Sequence, residues 1–231
     1  MPRPSTPLLS PERIRRTALA ILDREGLAAL SMRRLAQELG VRAASLYNHV
    51  ATKDELLDQI ASEIMEQVDT SAFAPDSPAD WRAALITWGR SYRAALAAHP
   101  NIVPYLAYGP AHREASLRRA DEIHGGLTRA GWPPRYATMI GAAVKYLVIG
   151  AAMGSFARGF IDDATLYAGR FPHLTQAHLL RAHAERIDQD SFELALHALV
   201  DGLSAQYEQV VLHHSPEDHP EPAGQDRESS S

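Results

Sequence analysis

The sequence predicts an all-α fold in two units, a small N-terminal head and a larger C-terminal helical bundle. Apolar residues recur at helical spacing along most of the chain, and no convincing alternating strand interrupts them. Two short helical runs meet at Gly40. Charge is divided between the units. Residues 1–53 hold nine Lys or Arg against four Asp or Glu, a charge of +5, so the overall −5 leaves −10 for residues 54–231. A basic head on an acidic body points the head, and not the body, towards a polyanion. Charge alone leaves chance clustering on a solvated face equally open.

Ser10-Pro11 begins the first helix, with a capping hydroxyl before a proline at the first helical position. Ile14, Ala18, Ile21 and Leu22 carry it to Gly26. Ser31 caps a second helix, Met32 to Leu39, closed by Gly40, and a third covers Ala43 to His49. Thr52-Lys53-Asp54-Glu55 has the form of a capping box and opens a fourth helix through Leu56, Leu57, Ile60, Ile64 and Val68. The stretch TSAFAPDSPAD reads as a connection. Further helices are expected at 80–98, 101–108, 113–130, 133–160, 174–186 and 190–213. The segment Gly141–Ala157 is apolar but has only seventeen residues and contains Lys145. A span needs roughly 20 apolar residues, so a buried helix of a soluble protein is expected. The chain has no cysteine, and its N-terminus lacks the apolar run of a secretory signal. The expected organisation is a disordered arm at 1–9, a helix-turn-helix domain at 10–57, a C-terminal helical domain at 58–213 and a disordered tail at 214–231.

Two short helices meeting at a glycine form a helix-turn-helix, whose second helix enters the major groove of DNA. Ala36 is small where the helices approach, and Gly40 suits a turn with positive φ. Leu35, Leu39, Val41, Leu46 and Val50 can fix the angle between them. Arg42, Ala43, Ser45, Tyr47, Asn48 and His49 then face elsewhere. Buried without partners, their polar groups would cost free energy; aimed at DNA, they meet base edges and phosphates. Bland readings stand beside this one. Tyr47 can be a packing aromatic, His49 can cap or pack, Ser45 and Asn48 suit any solvated face, and Arg34 can be a plain surface charge.

No Gly-rich phosphate loop, G-x-S-x-G or H-E-x-x-H is present, so no catalytic residue, enzyme activity or cofactor is expected. Eleven histidines do not assemble a convincing metal set. His178 and His183 are badly spaced for one helical face, and His213, His214 and His219 lie in the tail.

Residues 10–57, through RIRRTALAILDREGLAALSMRRLAQELGV and SLYNHVATKDELL, resemble the DNA-binding domain of the TetR family of bacterial transcription regulators. The remainder, with AHPNI, RAGWPP and a long small-residue helix, is similar to the C-terminal domain of the tetracycline-repressor type. The resemblance implies an Ω-shaped homodimer whose C-terminal helices enclose an effector site. It implies phosphate contacts for Tyr47, His49 and Lys53, a base or phosphate contact for Arg33, and base reading at Arg42, Ala43, Ser45 and Asn48. The sequence departs from that pattern at Ala43 and Ala44, where a longer polar residue and a proline are common, so no operator sequence is inherited.

In the body, Gly150 and Gly154 lie four apart among alanines, a spacing that permits close helix approach. The last helix carries Phe192, Leu196, Leu199, Leu203 and Val210 as one apolar stripe. A helix apolar over a wide arc needs cover on more than one side, so Gly150, Gly154, Leu196, Leu199 and Leu203 are candidates for a homodimer interface; a monomeric core is the alternative. Trp88, Tyr92, Tyr105, His124 and Tyr146 mix apolar bulk with polar tips, as ligand pockets do. The reading that follows is a cytoplasmic repressor. Its partners are a palindromic double-stranded DNA operator and a small-molecule effector that releases it, with no membrane partner. An effector-independent or activating regulator, and a helical enzyme or binding module, are the alternatives.

Overall fold

In the computed structural model, which describes residues 9–77, 79–108 and 114–213, ten α-helices and no strand occur among the described residues. They are α1 (Pro11–Glu25), α2 (Met32–Leu39), α3 (Ala43–Leu46), α4 (Lys53–Met65), α5 (Trp81–Ala98), α6 (Val103–Tyr108), α7 (Glu114–Arg129), α8 (Pro134–Met153), α9 (Ala164–Tyr167) and α10 (Ala184–His213). The expected tail lies outside the described residues, as does the expected arm except for Leu9, which packs against the core. The helix expected at 133–160 ends at Met153, where Gly154 turns extended. The helix expected at 174–186 is instead a 3-10 run, Ala177–His183. It leads straight into α10, because no Pro or Gly interrupts the chain there.

The head forms around α1 to α4. Ser10 caps α1 through its hydroxyl, which accepts from the Arg13 N–H at 3.2 Å. Ile14, Ile21 and Leu22 of α1 are buried with Leu35, Leu46 and Leu56. The last carbonyls of α1 are completed from the body. The Asn101 amide donates to Leu22 O at 2.9 Å and Asp23 O at 3.0 Å, and His99 Nδ1 lies 2.9 Å from the Asp23 carboxylate. The AHPNI segment thus ties α1 down, serving Asp23 O at the helix end and giving Leu22 O a second donor beside the Gly26 N–H.

Helix α4 joins head to body. Its buried stripe of Leu56, Leu57, Ile60, Ala61 and Ile64 packs on α1 and on α5 and α7. The helix runs unbroken through residues 57 and 58, where the sequence suggests a division.

In the body, α5 packs against α8 and α10, and α7 pairs with α8. Trp132 sits edge-on to Trp81 at 5.2 Å and to Tyr207 at 5.1 Å, pinning the α7–α8 turn between α5 and α10. Arg82 covers the Trp81 ring at 4.4 Å and donates Nε to Ser204 Oγ at 2.8 Å. Among the described residues none of the fully covered side chains is charged. Helix α8 is covered on one face only, at Ala137, Ile140, Val144 and Val148, and so is less buried in the protomer than its apolar sequence suggests.

Gly126 lets α7 meet the 3-10 turn Ser71–Phe73, since a Cβ there would lie 2.7 Å from Phe73 Cβ and 3.0 Å from Phe73 O. Those backbone-bound atoms cannot swing aside as a side-chain tip would. Gly126→Ala is expected to cost about 1–3 kcal/mol as overpacking, read as a lower urea midpoint; an unchanged midpoint would show that the turn yields.

Candidate nucleic-acid interface and ligand cavity

Gly40 sets the geometry of the interface. It adopts φ +70° and ψ +30°, a left-handed conformation that costs most residues about 1–2 kcal/mol and glycine little. Its N–H donates to Gln37 O at 3.2 Å, and the Val41 N–H reaches Ala36 O at 3.0 Å, a Schellman closure of α2. The chain emerges at an angle, and Leu46 and Val50 bury against Leu35, Ala36 and Leu39. Helix α3 is shorter than expected: after Leu46 it continues as a turn in which the His49 and Val50 N–H groups both donate to Leu46 O.

With Leu46 and Val50 inward, Arg42, Tyr47, Asn48 and His49 point outward, and Ala43 and Ser45 are half-buried. Tyr47 is 54% exposed, so its ring does not serve as packing within the protomer.

The adjacent arginines of α2 are sorted by their partners. Arg34 bridges Glu38 at 2.6 Å and Glu25 at 3.0 Å, and Arg24 also binds Glu25. Hydrogen bonds from Arg24, and then from Arg34, hold the Glu25 carboxyl below its usual range. Glu25 and Glu38 in turn raise Arg34. Arg33 and Arg42 are exposed and have no ion-pair partner among the described residues. Arg34 therefore clasps α1 to α2, while Arg33 and Arg42 keep their charge for a ligand.

At the start of α4, Thr52 Oγ1 accepts from the Glu55 N–H at 3.0 Å. The Glu55 carboxylate reaches past the cap to the Ala51 N–H at 2.8 Å. Lys53 Nζ donates to Leu27 O at 3.3 Å, which leaves further N–H donors for a phosphate. Asp54 and Glu55 in the same turn offset the helix dipole, so attraction for phosphate there comes from Lys53.

The body holds a cavity of about 310 Å³, partly open to solvent and lined from α4, α5, α6, α7 and α8. Trp88, Tyr92 and His124, three of the five expected ligand residues, line it. Trp88 and Tyr92 stack at 6.2 Å. Burial pushes the Tyr92 hydroxyl up to about 12, against a smaller downward pull from Arg119, so it stays a neutral donor. Two expectations fail. The Tyr105 hydroxyl turns to α4, donating to Asp58 Oδ1 at 2.7 Å, because α6 packs its Leu106 side, not Tyr105, towards the cavity. Tyr146 is 74% exposed, one helical face away from Val144 and Val148. Sequence reasoning misses Arg119 and Lys145, which also line the cavity. Lys145 is visible in the sequence as the one charge within GAAVKYLVIGAAMG.

The expected dimer residues divide as well. Leu196 is 0% exposed and lies against Gly89 of α5, so it belongs to the protomer core. Leu199 and Leu203 are half-buried against the same core. Gly154 lies beyond the end of α8, so Gly150 and Gly154 do not share a helical face. The open face of α10 is instead Leu194, Ala198, Gly202 and Ala205, at intervals of about one turn. On α8, Met139, Tyr146, Gly150 and Met153 form a matching exposed stripe.

A helix-turn-helix with free cations on its outer surface, carried on a helical body with an internal cavity, defines a DNA-binding transcriptional regulator. Residues 14–60 match the bacterial regulatory proteins of the tetR family, and residues 74–207 match the tetracyclin repressor-like C-terminal domain. The class A tetracycline repressor from transposon 1721 of Escherichia coli is 31% identical over 85% of this chain and 91% of its own length. ActR of Streptomyces coelicolor, solved in complex with (S)-DNPA, is 31% identical with a TM-score of 0.69 over 87% of this chain and 100% of that one. BioQ, solved with its natural double-stranded DNA operator, is 25% identical with a TM-score of 0.59 over 85% of this chain and 99% of that one. The chain belongs to the TetR family.

Arg42→Ala is expected to relax sequence preference, removing about 1–3 kcal/mol of discrimination at one base pair if the contact is bidentate to guanine. Lys53→Ala should weaken binding to all sequences alike and lower the salt slope by about 1. Fluorescence anisotropy across a salt series, on matched and scrambled duplexes, separates the two; equal, sequence-blind losses would overturn this division of roles.

Proposed function

We propose that the chain is a homodimeric repressor, acting in the cytoplasm, that a small-molecule effector releases from a palindromic operator. In this reading residues 10–57 read DNA, and residues 58–213 bind the effector and dimerise. The observation that carries it is the placement of α4. Lys53 opens this helix next to the helix-turn-helix, and Met65, which closes it, lines the cavity. The two are twelve residues apart on one rigid rod, roughly 18 Å at the α-helical rise. A ligand that displaces Met65 tilts the rod and moves Lys53. Tyr105, through Asp58, and Asn101, through the end of α1, transmit shifts of α6 and the AHPNI segment to the same head. ActR with (S)-DNPA supports a ligand in the body, and BioQ with its operator supports duplex DNA on the head.

Dimerisation supplies two heads for half-sites about 34–36 Å apart. The exposed stripes of α8 and α10, placed against those of a second copy, make a four-helix interface. A gel shift with the intergenic DNA upstream of the chain's own gene tests the reading, followed by release of that DNA with small aromatic compounds. Failure to bind any duplex at low salt would refute it.

Two outcomes are expected. Effector affinity should fall in the presence of operator by the same factor, about 5–150-fold, by which effector weakens operator binding; calorimetry with and without operator reads this, and identical affinities would break the coupling. A Cβ added at Gly150 would meet nothing within 4 Å, so Gly150→Leu fits the protomer. It should leave the circular dichroism unchanged and shift sedimentation from dimer towards monomer. A variant that stays dimeric places the interface elsewhere.

A further inference from the structure

We propose that the cavity selects a flat aromatic ligand bearing a negative charge, held at its anionic end by Arg119 and Lys145; this rests on the reading of the cavity as the effector site. The lining contains these two cations and no Asp or Glu. Arg119 is half-buried, and its Nη1 donates only along its own helix, to Ala115 O at 3.0 Å. It forms no ion pair among the described residues; Glu66 and Glu122 act on it from farther away, and burial outweighs them, lowering its pKa. A cation desolvated in this way lacks a close counter-charge, and an anionic ligand group supplies one. Lys145 is exposed and likewise has no ion-pair partner among the described residues.

The helix hairpin brings the two charges to one level. Arg119 lies eleven residues before Ala130, and Lys145 twelve residues after Pro133, on either side of the turn that joins α7 to α8. Both positions therefore lie in the half of the cavity lining remote from that turn. Shape comes from the other residues. The ring planes of Trp88 and Tyr92 are 21° apart and form an aromatic wall, while Leu106 and Ile123 add aliphatic surface. A volume of about 310 Å³ lies at the lower end of the roughly 300–1,000 Å³ of small-molecule sites, which suits two or three rings. A ligand arriving as a cation finds no carboxylate and meets two like charges, so the site also discriminates by repulsion.

The test is a fluorescence titration of the intact protein with two probes that share one ring system. One is 8-anilinonaphthalene-1-sulfonate, and the other is N-phenyl-1-naphthylamine, which lacks the sulfonate. The sulfonate is expected to bind at least about tenfold more tightly, the scale of one charge-assisted contact. Arg119→Met and Lys145→Met should each reduce its affinity several-fold and leave the neutral probe unchanged. Because Lys145 is exposed, its variant keeps the test open even if Arg119→Met unfolds. Gly141→Trp, which fills the cavity, should exclude both probes; if that variant melts early, loss of energy transfer in Trp88→Phe locates them instead. Equal or tighter binding of the neutral probe, or an unchanged preference in the folded variants, overturns the anion selectivity. Binding of neither probe, or of both outside the cavity, overturns the effector-site reading itself.

Discussion

Because α4 keeps one unbroken buried stripe from Leu56 to Ile64 and packs at once on α1 of the head and on α5 and α7 of the body, the two units share a single rigid element. Hydrophobic burial enforces this. Each large side chain withdrawn from water contributes about 1.5–3 kcal/mol, so separating α4 from either set of neighbours would be far costlier than tilting it. Beside the buried Ile102, where the Pro100–Ile102 turn meets α1, head and body share polar ties: Asn101 on the end of α1, His99 beside Asp23, and Tyr105 on Asp58. Such contacts fix an angle with little energy each, so they can re-form at a second angle. A stiff rod bounded by adjustable contacts is what a two-position device needs.

Electrostatics in the head works by subtraction. Exposed ion pairs add little stability, but they determine which charges stay free. Glu25 and Glu38 occupy Arg24 and Arg34, whereas Arg33 and Arg42 have no ion-pair partner among the described residues and Lys53 keeps donors beyond its bond to Leu27 O. In the body the same logic runs the other way. Arg119 forms no ion pair among the described residues while being partly withdrawn from water, and it lines the cavity with its charge uncompensated at close range.

Local signals in the sequence are strong wherever a short-range rule decides the outcome. Gly40, the Ser10 and Thr52 caps and the inward set Leu35, Leu39, Leu46 and Val50 all follow from residues within a few positions of one another. Long-range packing is less legible. Whether Tyr105 or Leu106 faces the cavity depends on the rotation of a six-residue helix, and one position reverses the answer. Leu196 looks available for a partner because an apolar stripe does not say which chain covers it; only the approach of α5 at Gly89 settles that. Arg119 is hidden among the many surface arginines, since burial of a charged residue depends on helices distant in sequence. The end of α8 misleads because Gly154 has the spacing of a packing residue and acts as a terminator.

Past Leu194, the open face of α10 consists of Ala198, Gly202 and Ala205, residues that present backbone rather than bulk. Helices that meet over such a face come together closely, and the space between them is set by what is missing from the side chains. Another chain of the same architecture with a leucine at any of these three positions could not approach as near there. Steric exclusion alone would then keep mixed assemblies from forming, so that each regulator finds its own kind without a dedicated recognition group.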